Sequence, residues 1–165
     1  MTCSRFEELP VWLEAIRLAE DVYNMTESRN WSGSRSLRDQ LERAALSVSN
    51  NIAEGFERGT TNELLAFLYI ARGSAGEVRS MLCFLERKDG FANFKSQISN
   101  LKSTAESCSR QLRAWADHLQ NSDIKGQRHL NEKTRSSYHS KKETEEFQNE
   151  LLSILPQGHP LRKGK

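Results

Sequence analysis

The stretch FANFKSQISNLKSTAESCSRQLRAWADHLQ, residues 91–120, decides the fold. Within it Phe91, Phe94, Ile98, Leu101, Ala105, Cys108, Leu112, Trp115 and Leu119 recur at alternating steps of three and four. A helix of about 3.6 residues per turn returns such positions to one side. The spacing therefore predicts a long amphipathic helix whose seam packs on neighbouring helices at a shallow angle.

Upstream the same period returns three times. Thr60-Thr61-Asn62-Glu63 reads as a capping box, in which the Thr hydroxyl and the Glu carboxylate each satisfy a free N–H. The helix it opens repeats Leu64, Phe67/Leu68, Ala71, Ala75, Val78, Leu82 and Leu85, and stops at the Asp89-Gly90 turn signal. Before it, a helix from about Leu37 places Leu41, Ala44, Ala45, Val48 and Ile52 inside and is expected to finish near Gly59, a left-handed cap. The first helix shows Leu9, Trp12, Ile16, Ala19 and Tyr23 on one face, with Pro10 in its first turn. Residues 28–36, with Gly33 and several serines, read as a loop. No segment alternates with a period of two, and 9 Gly and 3 Pro favour long helices over a loop-rich β-protein. The expected fold class is all-α: an antiparallel up-down four-helix bundle over residues 5–120, followed by a polar C-terminal extension over 121–165.

A chain of 165 residues allows one domain and a tail. Mean hydropathy of -0.71 and 28% charged residues fit a soluble chain. No apolar run approaches the roughly 18 residues of a membrane span. The N-terminus lacks a signal-like apolar stretch, so a cytoplasmic location is expected. Cys3, Cys83 and Cys108 are odd in number and far apart, as free thiols are. The net charge of +2 is unevenly spread. Residues 1–120 hold 15 Lys and Arg against 16 Asp and Glu, whereas 121–165 hold 9 against 6. The tail cations are Lys125, Arg128, Lys133, Arg135, Lys141, Lys142, Arg162, Lys163 and Lys165. They read either as a solvated polar segment or as phosphate contacts for RNA or DNA, with Arg43 and Arg58 as additions from the bundle. Within this tail Phe147, Leu151, Ile154 and Leu155 recur at helical spacing, so a short helix over 141–155 is expected, ended by Pro156 and able to dock on a partner.

Catalytic signatures are missing from the sequence. Gly73-Ser74-Ala75-Gly76 lies inside a helical pattern with no Gly-Lys-Ser/Thr after it, so it is no phosphate loop. None of the four His has a Glu three residues earlier, and no His/Cys cluster occurs, so neither a metal nor a cofactor is expected. An enzyme built on Glu54, Glu77 and Arg43 would have no visible nucleophile, and a non-enzymatic role is expected. Two features exceed plain packing needs. Gln40, Arg43, Ser47, Asn51, Glu54 and Arg58 form a polar stripe beside the apolar one of the second helix. It reads as a solvated face with local pairs, or as a surface for self-recognition or a ligand. Asn50-Asn51 conflicts locally with a helix interior. Gly73 and Gly76 each cost about 1 kcal/mol relative to Ala in a helix interior. Close approach of another helix backbone, or contact with a ligand or partner, are the two readings of that patch.

These stretches also resemble a known family. Phe6-x-x-Leu9-x-x-Trp12-x-x-Ala15-x-x-Leu18 is similar to the opening of the bacterial four-helix-bundle family named for open reading frames in intervening sequences of 23S ribosomal RNA genes. Gln40-x-x-Arg43-Ala44-x-x-Ser47-x-x-x-Asn51-Ile52-Ala53-Glu54-Gly55-x-x-Arg58 resembles its most distinctive motif. Glu63-x-x-x-Phe67-Leu68-x-Ile70-Ala71-x-Gly73-Ser74-x-x-Glu77 resembles its third-helix motif. The resemblance spans roughly residues 5–120 and implies a bundle that assembles into a barrel-shaped homopentamer without established enzymatic activity. The family's fold is similar to that of the accessory variability protein of diversity-generating retroelements, a pentameric barrel that binds nucleic acid and partners a reverse transcriptase. Itself, RNA or DNA, and a reverse transcriptase are thus the partners the resemblance implies. The other reading is a structural oligomeric adaptor that recruits a protein through the 141–155 segment.

Overall fold

Ser34 and Thr60 punctuate the chain, each turning a side-chain oxygen onto the first turn of the helix it precedes. Ser34 Oγ accepts from the Leu37 N–H at 3.2 Å and Thr60 Oγ1 from the Glu63 N–H at 3.2 Å. The computed structural model describes residues 4–121 continuously and, beyond them, Ser136, Ser140, Glu143, Thr144, Glu146, Phe147 and Glu150. Four long helices make up the first part: α1 Pro10–Thr26, α2 Arg35–Glu57, α3 Thr61–Glu86 and α4 Lys95–Gln120. Short 3-10 turns, Phe6–Glu8 and Ala92–Phe94, precede α1 and α4. Among the described residues there is no strand.

Each helix except α1 buries the face its periodicity assigns. Leu41, Val48 and Ile52 of α2, Leu64, Leu68, Val78, Leu82 and Leu85 of α3, and Ile98, Cys108 and Leu112 of α4 are fully excluded from water. Burying one such aliphatic side chain is worth about 1.5–3 kcal/mol. Trp115 and Leu119 close the α4 seam half-buried. In α1 the core is lined by Val11, Ala15, Leu18, Val22 and Met25 together with Leu9 and Ala19 of the expected series, whereas Trp12, Ile16 and Tyr23 sit at the rim. Two interleaved apolar series run along α1, and the slimmer one fits between α2 and α4. The large amphipathic rings take the edge, where Trp12 packs edge-on against Phe6 at 5.2 Å.

Neighbouring helices are tied by specific pairs. Gln120 at the end of α4 donates to Tyr69 Oη near the start of α3 at 2.6 Å. Lys102, early in α4, reaches Glu86 at the end of α3 at 2.8 Å. Thr26 ends α1 with its hydroxyl on Glu42 Oε1 of α2 at 2.5 Å, and Arg38 Nε donates to the same oxygen at 2.7 Å. Gln111 of α4 donates to Glu14 of α1.

Glycine roles differ from expectation. Gly59 is not a left-handed cap: α2 ends at an extended Arg58 (φ -71, ψ 149), and Gly90 at φ 96 is the one residue with positive φ among those described. The chain needs no reversal of helical hand there, because Thr60 caps α3 two residues after the α2 cap. Glu63 also departs from the capping box, since its carboxylate accepts the Thr60 hydroxyl at 2.7 Å. The α1–α2 loop and the α3–α4 loop meet. Trp31 packs edge-on against Phe91 at 5.1 Å, and Ser32 Oγ donates to the Gly90 carbonyl at 3.1 Å. A Cβ at Gly33 would strike the Trp31 ring at 2.7 Å, so the backbone can lie across that indole only as glycine.

The chain divides into two units, Met1–Arg128 and His129–Lys165. The described residues of the second unit from Ser136 to Glu150 are helical, and Phe147 among them is exposed. Leu151, Ile154 and Leu155 of the expected tail helix lie outside the described residues.

Candidate functional site on the second and third helices

The polar stripe of α2 lies along α3, and the two are joined by short side chains. Ser47 Oγ and Ser74 Oγ share a hydrogen bond of 2.9 Å. Ser74 also donates to the Ile70 carbonyl at 3.1 Å, and Asn51 Nδ2 donates to Ser47 O at 2.6 Å and to Ser47 Oγ at 2.9 Å. Asn51 thus returns its amide onto the preceding turn of its own helix. This answers the local conflict of an asparagine in a helix interior. One turn on, Arg58 pairs with Glu54 at 2.5 Å and lays its guanidinium over the Phe67 ring at 5.0 Å.

Toward the other end, Gln40, Arg43, Ala44, Ser47 and Glu77 line an open cleft of about 380 Å³. Arg43 makes no ion pair among the described residues. The structure therefore brings together Gln40, Arg43, Ser47 and Glu77 at the cleft, and Ser47, Asn51 and Ser74 in one hydrogen-bonded knot. Glu54 and Arg58 form a separate exposed pair. Lys125, Arg128, Lys133, Arg135, Lys141, Lys142, Arg162, Lys163 and Lys165 all lie outside the described residues.

Gly73 and Gly76 are not where helices approach closely. A Cβ on either would meet nothing within 4 Å, and both positions are exposed. The close approach is at Gly55, buried near the end of α2, where a Cβ would stand 2.7 Å from Phe67 Cβ and 3.2 Å from Leu64 Cδ1. Gly55 sits in the Asn-Ile-Ala-Glu-Gly run, and its place on the α2 inner face, three residues after Ile52, was the available signal.

Alongside this knot α3 presents a second series, Phe67, Ile70, Ser74, Glu77, Met81 and Phe84, at alternating steps of three and four. Ile70 is 51% and Phe84 48% exposed. Elsewhere chemistry is muted. Burial pushes the Cys108 thiol up to about 12, with the Glu14 charge adding to the effect. Among the described residues no three His, Cys, Asp or Glu side chains are placed to hold a metal ion, and no helix is long and apolar enough to cross a membrane.

The fold and this face define a four-helix protein in which Ser47, Asn51 and Ser74 bond one another beside half-exposed apolar side chains. The chain belongs to the 23S rRNA-intervening sequence protein family, whose model matches residues 7–114. It is similar in structure to a protein of unknown function from the S23 ribosomal protein family of Bacteroides thetaiotaomicron, with a TM-score of 0.59 and 19% identity. That likeness covers 64% of this chain and 97% of the other, and it speaks to the fold alone. Among curated proteins none matches the chain.

Proposed function

We propose that this chain is a non-enzymatic binding module, an up-down antiparallel bundle that assembles into a barrel-shaped homopentamer and associates with nucleic acid. The observation that carries the self-association is the outer α3 series, with Ile70 and Phe84 about half exposed beside a seam whose serines and asparagine already bond one another. Apolar surface left in water favours association at roughly 25 cal/mol per Å² removed. A polar neighbour that needs no water costs little to dry. The Tyr69–Gln120 and Glu86–Lys102 pairs support opposite directions for α3 and α4. Light scattering on the full chain tests the assembly: a mass five times 18.9 kDa is expected, and a monomer at micromolar concentration would end the reading.

Nucleic acid as partner is supported by the nine cations of residues 121–165. Five copies of such a tail would act together. A reverse transcriptase as the working partner rests on fold likeness to the retroelement accessory protein, and copurification with an enzyme encoded beside this chain tests it. The adaptor reading is supported by Phe147, helical and 64% exposed. Steep salt dependence of binding to an RNA duplex favours the first reading, and salt-insensitive protein capture that is lost in Phe147→Asp favours the second.

A further inference from the structure

Tyr69, Arg72, Gly76 and Arg79 of α3 fall at steps of three, four and three, so they share one side of that helix. That side faces α4, because Tyr69 is bonded to Gln120 and Arg79 lies 3.8 Å from Glu106. On α4, Glu106, Arg110, Arg113, Asp117 and Gln120 repeat at steps of four and three, so they line the facing side. Between them these two rows carry four arginines along the junction of α3 and α4. Glu106 holds two of them, Arg79 at 3.8 Å and Arg110 at 3.3 Å, and one carboxylate cannot neutralise both. Arg113 pairs with Asp117 one turn along α4 at 3.6 Å, and Arg72 has no ion pair among the described residues.

Arg110 and Arg113 keep roughly two thirds of their side-chain surface in water, and Arg79 keeps 43%. Between Arg72 and Arg79, Gly76 leaves the α3 surface bare, with nothing within 4 Å of where a Cβ would stand. Arg72 and Arg79 are seven residues apart, about 10 Å along the helix. The nearby acid of α3, Glu77, lines the cleft on the α2 side.

We propose that this arginine face, Arg72, Arg79, Arg110 and Arg113 around Gly76, is the bundle's binding site for the phosphodiester backbone of a nucleic acid. The proposal rests on the nucleic-acid reading above and moves the phosphate contacts from the tail and from Arg43 and Arg58 to the opposite edge of α3. Guanidinium forks suit phosphate oxygens, and contacts of this kind position a nucleic acid without reading its sequence. A bare glycine lets a sugar-phosphate strand lie close to α3 while the arginines on both sides reach its oxygens. The bundle thereby has two distinct working edges, one toward α2 for other copies and one toward α4 for the polyanion.

The test uses the full chain and two 20-base-pair probes of equal sequence, one RNA and one DNA, followed by fluorescence anisotropy between 50 and 200 mM salt. In the Arg72→Gln/Arg79→Gln/Arg110→Gln/Arg113→Gln variant, the log–log salt slope on the DNA duplex is expected to fall by about 3 to 4, at about 0.9 per phosphate lost. Affinity at 100 mM salt should drop at least tenfold. Glu106→Gln frees Arg79 and Arg110 and is expected to bind about threefold tighter, a gain that misfolding cannot imitate. Gly76→Glu should weaken binding while Gly76→Ala leaves it unchanged. If the wild-type chain binds and the quadruple variant keeps its slope, or Glu106→Gln brings no gain, the arginine face is not the site and the nucleic-acid reading survives. If the wild-type chain binds neither duplex at 50 mM salt, that reading falls, and this inference with it.

Discussion

Two glycines in adjacent helices should answer the same substitution with opposite signs. At Gly73 an alanine meets open space in an exposed helix interior, where Gly is about 1 kcal/mol less favourable than Ala. At Gly55 the same methyl would sit 2.7 Å from Phe67 Cβ, 3.2 Å from Leu64 Cδ1 and 3.4 Å from the Leu64 carbonyl. A Cβ cannot rotate away, and Leu64 and Phe67 are anchored in α3, so the helices must part. Overpacking of this kind costs about 1–3 kcal/mol, against a propensity gain of at most about 1. The net change at Gly55 is a loss centred near 1 kcal/mol. With a midpoint shift of roughly 4 °C per kcal/mol at this size, Gly73→Ala should melt about 4 °C above the wild type and Gly55→Ala about 4 °C below. Thermal unfolding by circular dichroism at one fixed protein concentration reads both. If Gly55→Ala melts as high as Gly73→Ala, the α2–α3 contact yields freely and the reasoning about close approach is wrong.

Ile70→Glu together with Phe84→Glu should shift the light-scattering mass to a single chain and keep the helical circular dichroism signal; an unchanged mass would place the contact elsewhere. Ser74→Ala removes the Ser47–Ser74 bond and should cost about 1 kcal/mol in urea denaturation, with a smaller loss when the same change is made in a Ser47→Ala background, where only the bond to the Ile70 carbonyl is left to lose. In a Cys3→Ser background, Cys83 should react with a thiol reagent within minutes at pH 8, whereas Cys108 should react only on unfolding. The fold favours the neutral Cys108 thiol, so stability should be whole below pH 9, its ordinary value, and decline as pH rises toward about 12. A urea midpoint that does not change between pH 8 and 10.5 in the wild type, or falls equally in Cys108→Ala, would contradict this. Thr60→Ala removes the α3 cap and should cost about 1 kcal/mol by the same denaturation.

The four helices were legible because each turns a continuous apolar series inward, and helical period needs no partner to be read. The inner face of α1 was legible only in part: Leu9 and Ala19 are buried as expected, but Trp12, Ile16 and Tyr23 are as periodic as Val11, Ala15 and Leu18, and only the space between α2 and α4 selects the latter. The glycines show the same limit. A glycine's cost in a helix is local, but whether anything presses on it depends on the helix opposite, so Gly73 and Gly76 looked packed and Gly55 passed unnoticed. The α2 polar stripe was visible as spacing, whereas its bond to Ser74 required the α2–α3 register. Arg72, Arg79, Arg110 and Arg113 were invisible as a group for that reason: they lie on two helices, and net charge summed over the bundle hides them.

Trp31, Ser32, Gly90 and Phe91 come from loops that serve different helix pairs, yet they touch. Each pair of helices, left alone, would be free to splay at its own turn. Because the indole of one turn is seated on the phenyl of the other, neither pair can open there without pulling that seat apart. The four helices should therefore melt in one step at that end. Slow hydrogen exchange at the helix ends beside the two turns would follow, and Trp31 fluorescence would report the moment the two halves separate.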